Sequence, residues 1–397
     1  MGPAVGPAGE AESKRAGPHP DRVPRTRKEA ETSPGVHGST RRVQRTGSSS
    51  LSITLPKAWT DSMNLQIGDS LRFRDLGAGR LEISPVNAES PSERRQKLLR
   101  IDASDAPPRL LARLLIGAYI TGQDQIIVTA RSGLTPEQRQ EVRRTVAHVL
   151  GMTVVEEESG VVEVQNFVDP GRYQFHRLLS QVVRILRTEL GTCRTSLAAG
   201  NRIALQQLDP LEDEIDRFYL LMVRQLLLAS DDFQVARDIG VESHHYQIGN
   251  RLVAKILEVL GDLISGVAHE LKENLAGIHR LPRSAVTELS KLIGAVDELL
   301  ERTMDAFARI SVTDANASLN SIEESLHADY SLGDTLARRI SDRQVAVAAQ
   351  RVVSNLLMAL EMLVIVNEVT INRSVEPETV AKTDRQVSME RGKAADR

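Results

Sequence analysis

The chain has 397 residues, with 50 Lys plus Arg against 53 Asp plus Glu and a net charge of −3. That length allows two or three domains and more than one buried core, and the charge balance excludes a uniformly basic nucleic-acid binder while leaving room for a local basic patch. A single cysteine, Cys193, excludes a disulfide scaffold and a zinc site built on paired cysteines and fits a reducing compartment, and 3% aromatic content is low for base-stacking platforms.

Residues 1–40 hold six Pro and six Gly with mixed charge and little hydrophobicity, which predicts a disordered tail. The polar stretch 374–397 is read the same way. No apolar segment follows MGPAVGPAGE, so no secretory signal is visible. No run of about 18 apolar residues free of charge is present. The best, Leu356 to Val366, is 11 residues long and contains Glu361. A cytoplasmic chain without membrane insertion is expected.

Residues 41–86 read as short strands. Leu51, Ile53 and Leu55 alternate with Ser52 and Thr54, Leu71 and Phe73 with Arg72 and Arg74, and Leu81 and Ile83 flank Glu82. A period of two is the pattern of a half-buried strand. Between them PKAWTDSM predicts one short helix with Pro56 at its first position.

Residues 95–168 alternate strand and helix: strand Leu98 to Ile101, helix Asp105 to Gly122 with Pro107 and Pro108 in its first turn, strand Gln125 to Thr129, helix Thr135 to Leu150, and strands Met152 to Val155 and Val161 to Phe167. TPEQ supplies an N-cap threonine, a first-position proline and the glutamine of a capping box. The prediction is a small βαβαββ domain. Residues 172–373 show helical periodicity throughout, broken near Gly200, Asp231-Asp232, Leu281-Pro282, Ser311 and Ser341. Six long helices in two sets of three, about 172–275 and 282–373, are expected. LEVLGDLI (257–264) over LEMLVIVN (360–367) points to an internal duplication. The predicted fold class is therefore multidomain α+β.

RRVQRTGSSSLSITLPK (41–57) contains Arg41, Arg42, Arg45 and Lys57 and no acid before Asp61. Concentrating positive charge here, in a mildly acidic chain, fits a nucleic-acid surface, although a solvated hairpin has the same composition. About 45 residues with few inward apolar side chains cannot bury enough surface alone, so pairing with a second copy is expected. R-x-x-x-x-G-x-S ahead of an alternating strand, L-P-K-x-W (Leu55 to Trp59) and L-x-x-G-D-x-L (Leu65 to Leu71) together resemble the swapped-hairpin SpoVT/AbrB-type DNA-binding domain. The resemblance implies a swapped-hairpin β-barrel in an intertwined homodimer that enters the major groove of duplex DNA. By position it makes Arg41, Arg42, Arg45 and Lys57 DNA contacts.

In the helix from about Ser243 to Glu273 one polar stripe remains: Arg251, Lys255, Glu258, Asp262, Ser265 and His269. Glu258 and Asp262 lie one turn apart on one face and repel by a few tenths of a kcal/mol. A hard cation such as Mg, Mn, Ca or Fe would relieve that, and so would a Lys255–Glu258 pair in a plain solvated stripe. Glu212 and Asp216 in DPLEDEIDRFYLLMVRQL (209–226) repeat the spacing, with Asp209 a natural N-cap and Pro210 at the first position. The two-repeat helical layout, EDEIDRFYLLMVRQL and RLVAKILEVLGD (251–262) resemble the PhoU family of all-α regulators of phosphate uptake, whose E-x-x-x-D motif supplies carboxylates to metal clusters. Joined to the front module, they resemble archaeal PhoU-type phosphate-uptake regulators. The resemblance implies a divalent or iron-type metal at Glu258, Asp262, Asp216 and Glu212, and no organic cofactor is expected. In the second repeat the motif ends on Ile365 instead of Asp.

Glu242-x-x-His245 and Glu324-x-x-His327 have the spacing of di-iron helical proteins, which need further inward carboxylates. Asp297, Glu301 and Asp305 form another ladder, read as a solvated face. No P-loop, dinucleotide fingerprint or nucleophile elbow is present. The reading that results is a non-enzymatic DNA-binding regulator of phosphate uptake. An adaptor docking on a phosphate transporter or signalling kinase, with the hairpins serving only to dimerise it, is the alternative. An antitoxin-like DNA binder is a third reading.

Overall fold

Two short hairpins and one helical turn make up the front of the chain. In the computed structural model, which describes residues 40–77, 79–86, 97–241, 243–329 and 332–376, the chain divides into two units, Met1–Arg95 and Gln96–Arg397. Apart from Thr40 and residues 374–376, the two stretches read as disordered tails lie outside the described residues.

In the first unit β1 (Gln44–Thr46) pairs antiparallel with β2 (Ser50–Ser52) across a turn in which Gly47 has φ +79°, a conformation glycine adopts without steric cost. Helix α1 (Lys57–Ser62) follows. Pro56 caps it from outside, one residue earlier than the sequence reading placed it. β3 (Leu71–Gly77) pairs antiparallel with β4 (Arg80–Pro85), with Phe73 directly opposite Ile83. The hairpins are two separate two-stranded sheets.

The second unit opens with a four-stranded sheet in the order β5-β6-β8-β7. β5 (Leu98–Asp102) runs parallel to β6 (Gln125–Thr129). β8 (Val161–Asn166) is antiparallel to β6 and to β7 (Met152–Glu157). Helices α2 (Leu110–Ile120) and α3 (Pro136–Ala147) connect the strands, so the order is βαβαββ. The capping box forms: Gln138 N donates to Thr135 Oγ1 at 3.2 Å, and Thr135 N donates to Gln138 Oε1 at 3.0 Å. Helix α2 starts later than expected. Arg109 takes a left-handed φ of 67° after Pro107-Pro108, so the prolines precede the helix rather than filling its first turn.

The helical region contains α4 (Phe175–Ala199), α5 (Arg202–Gln206), α6 (Asp209–Asp231), α7 (Phe233–Asp238), α8 (His244–His279), α9 (Arg283–Arg309), α10 (Val312–Asp329), α11 (Leu332–Arg339) and α12 (Arg343–Ser374). Three of these, α5, α7 and α11, are short helices that the sequence reading missed. They occupy connections, and two of them start on a side-chain cap: Asn201 and Asp232 cap α5 and α7 through their own carbonyl and carboxylate oxygens. Breaks come at Gly200 (φ 68°), Asp232, Pro282, Ile310 and Asp342. The N-cap of α6 is Leu208, not Asp209. Asp209 is the first helical residue and pairs with Lys272 at 2.6 Å.

Helix α8 packs on α12, α6 and α4, and α9 packs on α4 and α12. One apolar core runs through both sets of helices, from Phe175 to Val369. Among the described residues α12 has the one stretch that is long and apolar enough, by length and composition, to cross a membrane, and half of it is buried inside this chain. A second core, including Leu111, Leu115, Tyr119, Ile126 and Val164, lies between the sheet and its helices. The sheet and the helical region thus form one unit, joined where α2 meets α6.

Candidate nucleic-acid interface and carboxylate cluster

Arg41 and Arg42 precede β1, Arg45 is its middle residue and Lys57 opens α1. All four are exposed, and none makes an ion pair among the described residues. The hairpin is held locally: Arg45 faces Leu51 across the ladder, and Thr46 Oγ1 donates to Ser52 Oγ at 2.8 Å on the other face. Four uncompensated cations and a row of Ser and Thr hydroxyls lie together in a segment whose first acid is Asp61. Such a surface gains free energy by taking up phosphates and releasing their counterions.

The same unit has a second property. Among its residues whose exposure is described none is buried, while Val43, Leu51, Ile53, Ile67, Phe73 and Leu81 are each more than half exposed, Ile67 completely so. The alternating pattern was read as half-buried strands, but in the single chain its apolar face is uncovered. An apolar face of this extent marks an interaction site.

The carboxylates form a separate site on the helical region. Asp216 on α6 lies near Glu258 and Asp262 of α8 and near Glu212 and Asp213 of its own helix. Partial burial first, and those negative neighbours second, push its carboxyl up to about 6. Burial and Asp262 raise Glu212, and burial and Glu258 raise Asp262. Lys255 pairs with Glu258, as the plain-stripe reading required, and both Lys255 and Arg251 lie over the Tyr219 ring, at 5.3 and 5.4 Å. His148 approaches Asp213 at 3.6 Å.

The sequence reading missed Glu189 of α4. It is fully buried, Ser265 of α8 donates to its Oε1 at 3.3 Å, and Oε2 has no hydrogen-bond partner. Burial pushes its carboxyl up to about 7, with the Ser265 hydrogen bond opposing and Glu212 adding to the shift. The signal was present: Glu189 stands on the apolar face of α4, four residues after Ile185 and four before Cys193, where a carboxylate is out of place.

Glu212, Asp216, Glu258 and Asp262 are therefore near one another on α6 and α8. The donor set is all oxygen, the chemistry a hard cation takes. Among the described residues, however, no three His, Cys, Asp or Glu side chains are arranged as a metal-binding group. Glu324 and His327 of α10 and His245 of α8 are all exposed rather than turned inward, and Glu242 lies outside the described residues. The ladder read as a solvated face is engaged by Arg187 of α4, which pairs with Asp297 at 2.7 Å and with Glu301. Cys193 is fully buried, and burial pushes its thiol up to about 12.

No curated protein and no solved structure matches the chain. Residues 44–90 match the family model described as "Antidote-toxin recognition MazE, bacterial antitoxin", so the front module is an AbrB/MazE-type domain, consistent with a DNA-binding regulator or an antitoxin that binds duplex DNA as a homodimer.

Proposed function

We propose that this chain is a non-enzymatic, cytoplasmic, homodimeric DNA-binding regulator of phosphate uptake, whose helical region senses phosphate status through a metal ion or a partner protein and biases the DNA-binding module. One observation carries the DNA-binding part: the AbrB/MazE-type domain at 44–90 contains exposed Arg45 and Lys57 and is immediately preceded by exposed Arg41 and Arg42, none of them in an ion pair among the described residues. The uncovered apolar face of the same unit supports the homodimer and the closed barrel that two copies would form. The phosphate role rests on the resemblance of EDEIDRFYLLMVRQL and RLVAKILEVLGD to the PhoU family.

The proposed cation is divalent or iron-type, with Glu258, Asp262, Asp216 and Glu212 as its ligands. Their mutual repulsion supports it, since a cation would relieve it, and Glu258 would have to exchange Lys255 for the ion. Metal analysis of purified protein, beside Glu258→Ala/Asp262→Ala, tests this; equal metal content in both ends the metal reading.

The experiment that tests the function is a mobility shift of genomic fragments with the wild type and Arg42→Ala/Arg45→Ala, followed by mapping of bound DNA at high and low phosphate. Loss of the shift in the variant, with occupancy that changes with phosphate, is expected. A chain that ignores DNA even at low salt favours the adaptor reading instead, with a phosphate transporter or signalling kinase as partner. The toxin recognition named in the family description favours the antitoxin reading. A toxin retained through purification by the full chain would select it.

A further inference from the structure

Three arginines border one cavity in the second unit without a carboxylate among its lining residues. It encloses about 430 Å³ where α4 and α6 meet the end of the sheet layer. Leu150 and Val168 reach it from the sheet side, and Phe218 and Leu221 from α6. Arg177 and Arg184 lie seven residues apart on one face of α4, with Gln181 between them, and Arg172 comes from the 3₁₀ turn Pro170–Arg172 just before that helix.

The charges are largely uncommitted. Arg177 makes no ion pair or side-chain hydrogen bond among the described residues. Among the described residues the Arg184 guanidinium donates only to Gln181. Arg172 is 4.0 Å from Asp169 with both side chains more than half exposed, a contact of little strength. Small-molecule sites are mostly apolar hollows of about 300–1,000 Å³ with a few polar groups that orient the ligand. An apolar floor beneath three guanidiniums has that composition. Guanidinium forks bind carboxylate and phosphate in a bidentate manner, and three of them balance a dianion better than a monoanion.

We propose that this cavity binds a small organic phosphate, with the phosphate dianion held by Arg172, Arg177 and Arg184 and an apolar or flat body laid on Phe218, Val168 and Leu150. Its walls come from both the sheet layer and the helices, so the ligand bridges the two. The site does not involve the basic hairpins or the carboxylate cluster, and its test reads binding directly.

The probe is the amphipathic anion 1-anilinonaphthalene-8-sulfonate, titrated by fluorescence into the full chain. One saturable site per chain is expected, at least tenfold weaker in Arg177→Ala/Arg184→Ala, with Arg177→Lys/Arg184→Lys between the two. Circular dichroism confirms that each variant is folded; both side chains are exposed, so their removal leaves the core intact. Adenosine 5′-monophosphate or hexyl phosphate displaces the dye, the first showing a flat body and the second a flexible one. Adenosine alone and inorganic phosphate alone, at the same concentration, do not. The proposal is overturned if the double alanine variant binds the dye as tightly as the wild type, if neither organic phosphate competes, or if inorganic phosphate competes as well as they do.

Discussion

Arg224, in the middle of α6, is 1% exposed and donates through Nη2 to Asp124 Oδ1 at 2.8 Å. Its Nη1 donates to the carbonyls of Tyr119 and Gln123 at 2.5 and 2.9 Å, which caps the end of α2 from a neighbouring helix. Next to it Gln225 donates to the carbonyls of Pro170 and Tyr173 at 2.7 and 2.6 Å. Two consecutive polar residues in the otherwise apolar stretch from Phe218 to Ala229 of that helix thus tie the sheet layer to the helical region. Removing the arginine takes one donor from each of two carbonyls and one carboxylate, of which the Tyr119 carbonyl keeps Gly122 N and Asp124 keeps Lys97 N. Arg224→Ala should lose about 3 kcal/mol of stability, and Asp124→Asn, whose carboxylate is partly in water, about 1 kcal/mol. Urea denaturation gives both numbers, and hydrogen exchange at residues 119–124 should speed up in the first variant. An Arg224→Ala protein as stable as wild type would show that other contacts join the two layers.

Glu189 predicts a pH dependence. Its carboxyl sits at about 7 in the folded chain against an ordinary 4.5. Between those values the folded state keeps a proton that the unfolded state has released, so stability falls as pH rises from about 4.5 to about 7 and levels off on either side. The full displacement corresponds to an upper bound of about 3 kcal/mol. Glu189→Gln keeps the acceptor for Ser265 and removes the titration. It should match wild type near pH 4 and exceed it at pH 8, when both are measured by urea denaturation with a chelator present. Parallel stability curves for the two proteins would assign the pH dependence to other groups.

Particular residues show what could be read from the sequence. The βαβαββ order was legible because Thr135, Pro136 and Gln138 fix a helix start through local hydrogen bonds, and because Ile126 and Val128 alternate with half-covered neighbours. Long helices were legible from their apolar faces. Short α5, α7 and α11 were not, since five to eight residues do not complete enough turns to establish a period. The late start of α2 depends on a left-handed Arg109, a backbone state that its side chain does not announce. At the carboxylate cluster, spacing within one helix gave Glu258 with Asp262 and Glu212 with Asp216. The approach of α6 to α8 and the burial of Glu189 are tertiary facts, and the arginine cavity likewise needs three segments to meet.

The front unit predicts its own oligomeric state. Leu51 and Phe73 are 70% and 61% exposed in the single chain. A second copy covering that face removes apolar area worth about 25 cal/mol per Å². Leu51→Glu/Phe73→Glu should therefore shift the full chain from dimer toward monomer in light scattering at micromolar concentration and should lower DNA affinity by at least tenfold. A double variant that remains dimeric would move the dimer contact to the helical region. If it became monomeric but bound DNA as before, the pairing of hairpins would not be needed for recognition.

Register separates Arg45 from the other three basic residues. Arg45 lies directly opposite Leu51, on a face that a second copy would cover, whereas Arg41, Arg42 and Lys57 lie outside the ladder. A homodimer carries eight of these side chains, the two Arg45 on the covered face and six outside the ladder. If half of them neutralise phosphates, log K against log salt should fall with a slope of about −3.6. Arg42→Ala or Lys57→Ala, each removing one contact per protomer, should flatten that slope by about 1.8 while the protein stays dimeric. Arg45→Ala should change dimer strength as much as affinity, because a guanidinium beside apolar neighbours packs through its methylene stem. Fluorescence anisotropy across a salt series, with light scattering on the same samples, separates the two effects. Equal slopes for all three variants and the wild type would place the phosphate contacts elsewhere on the domain.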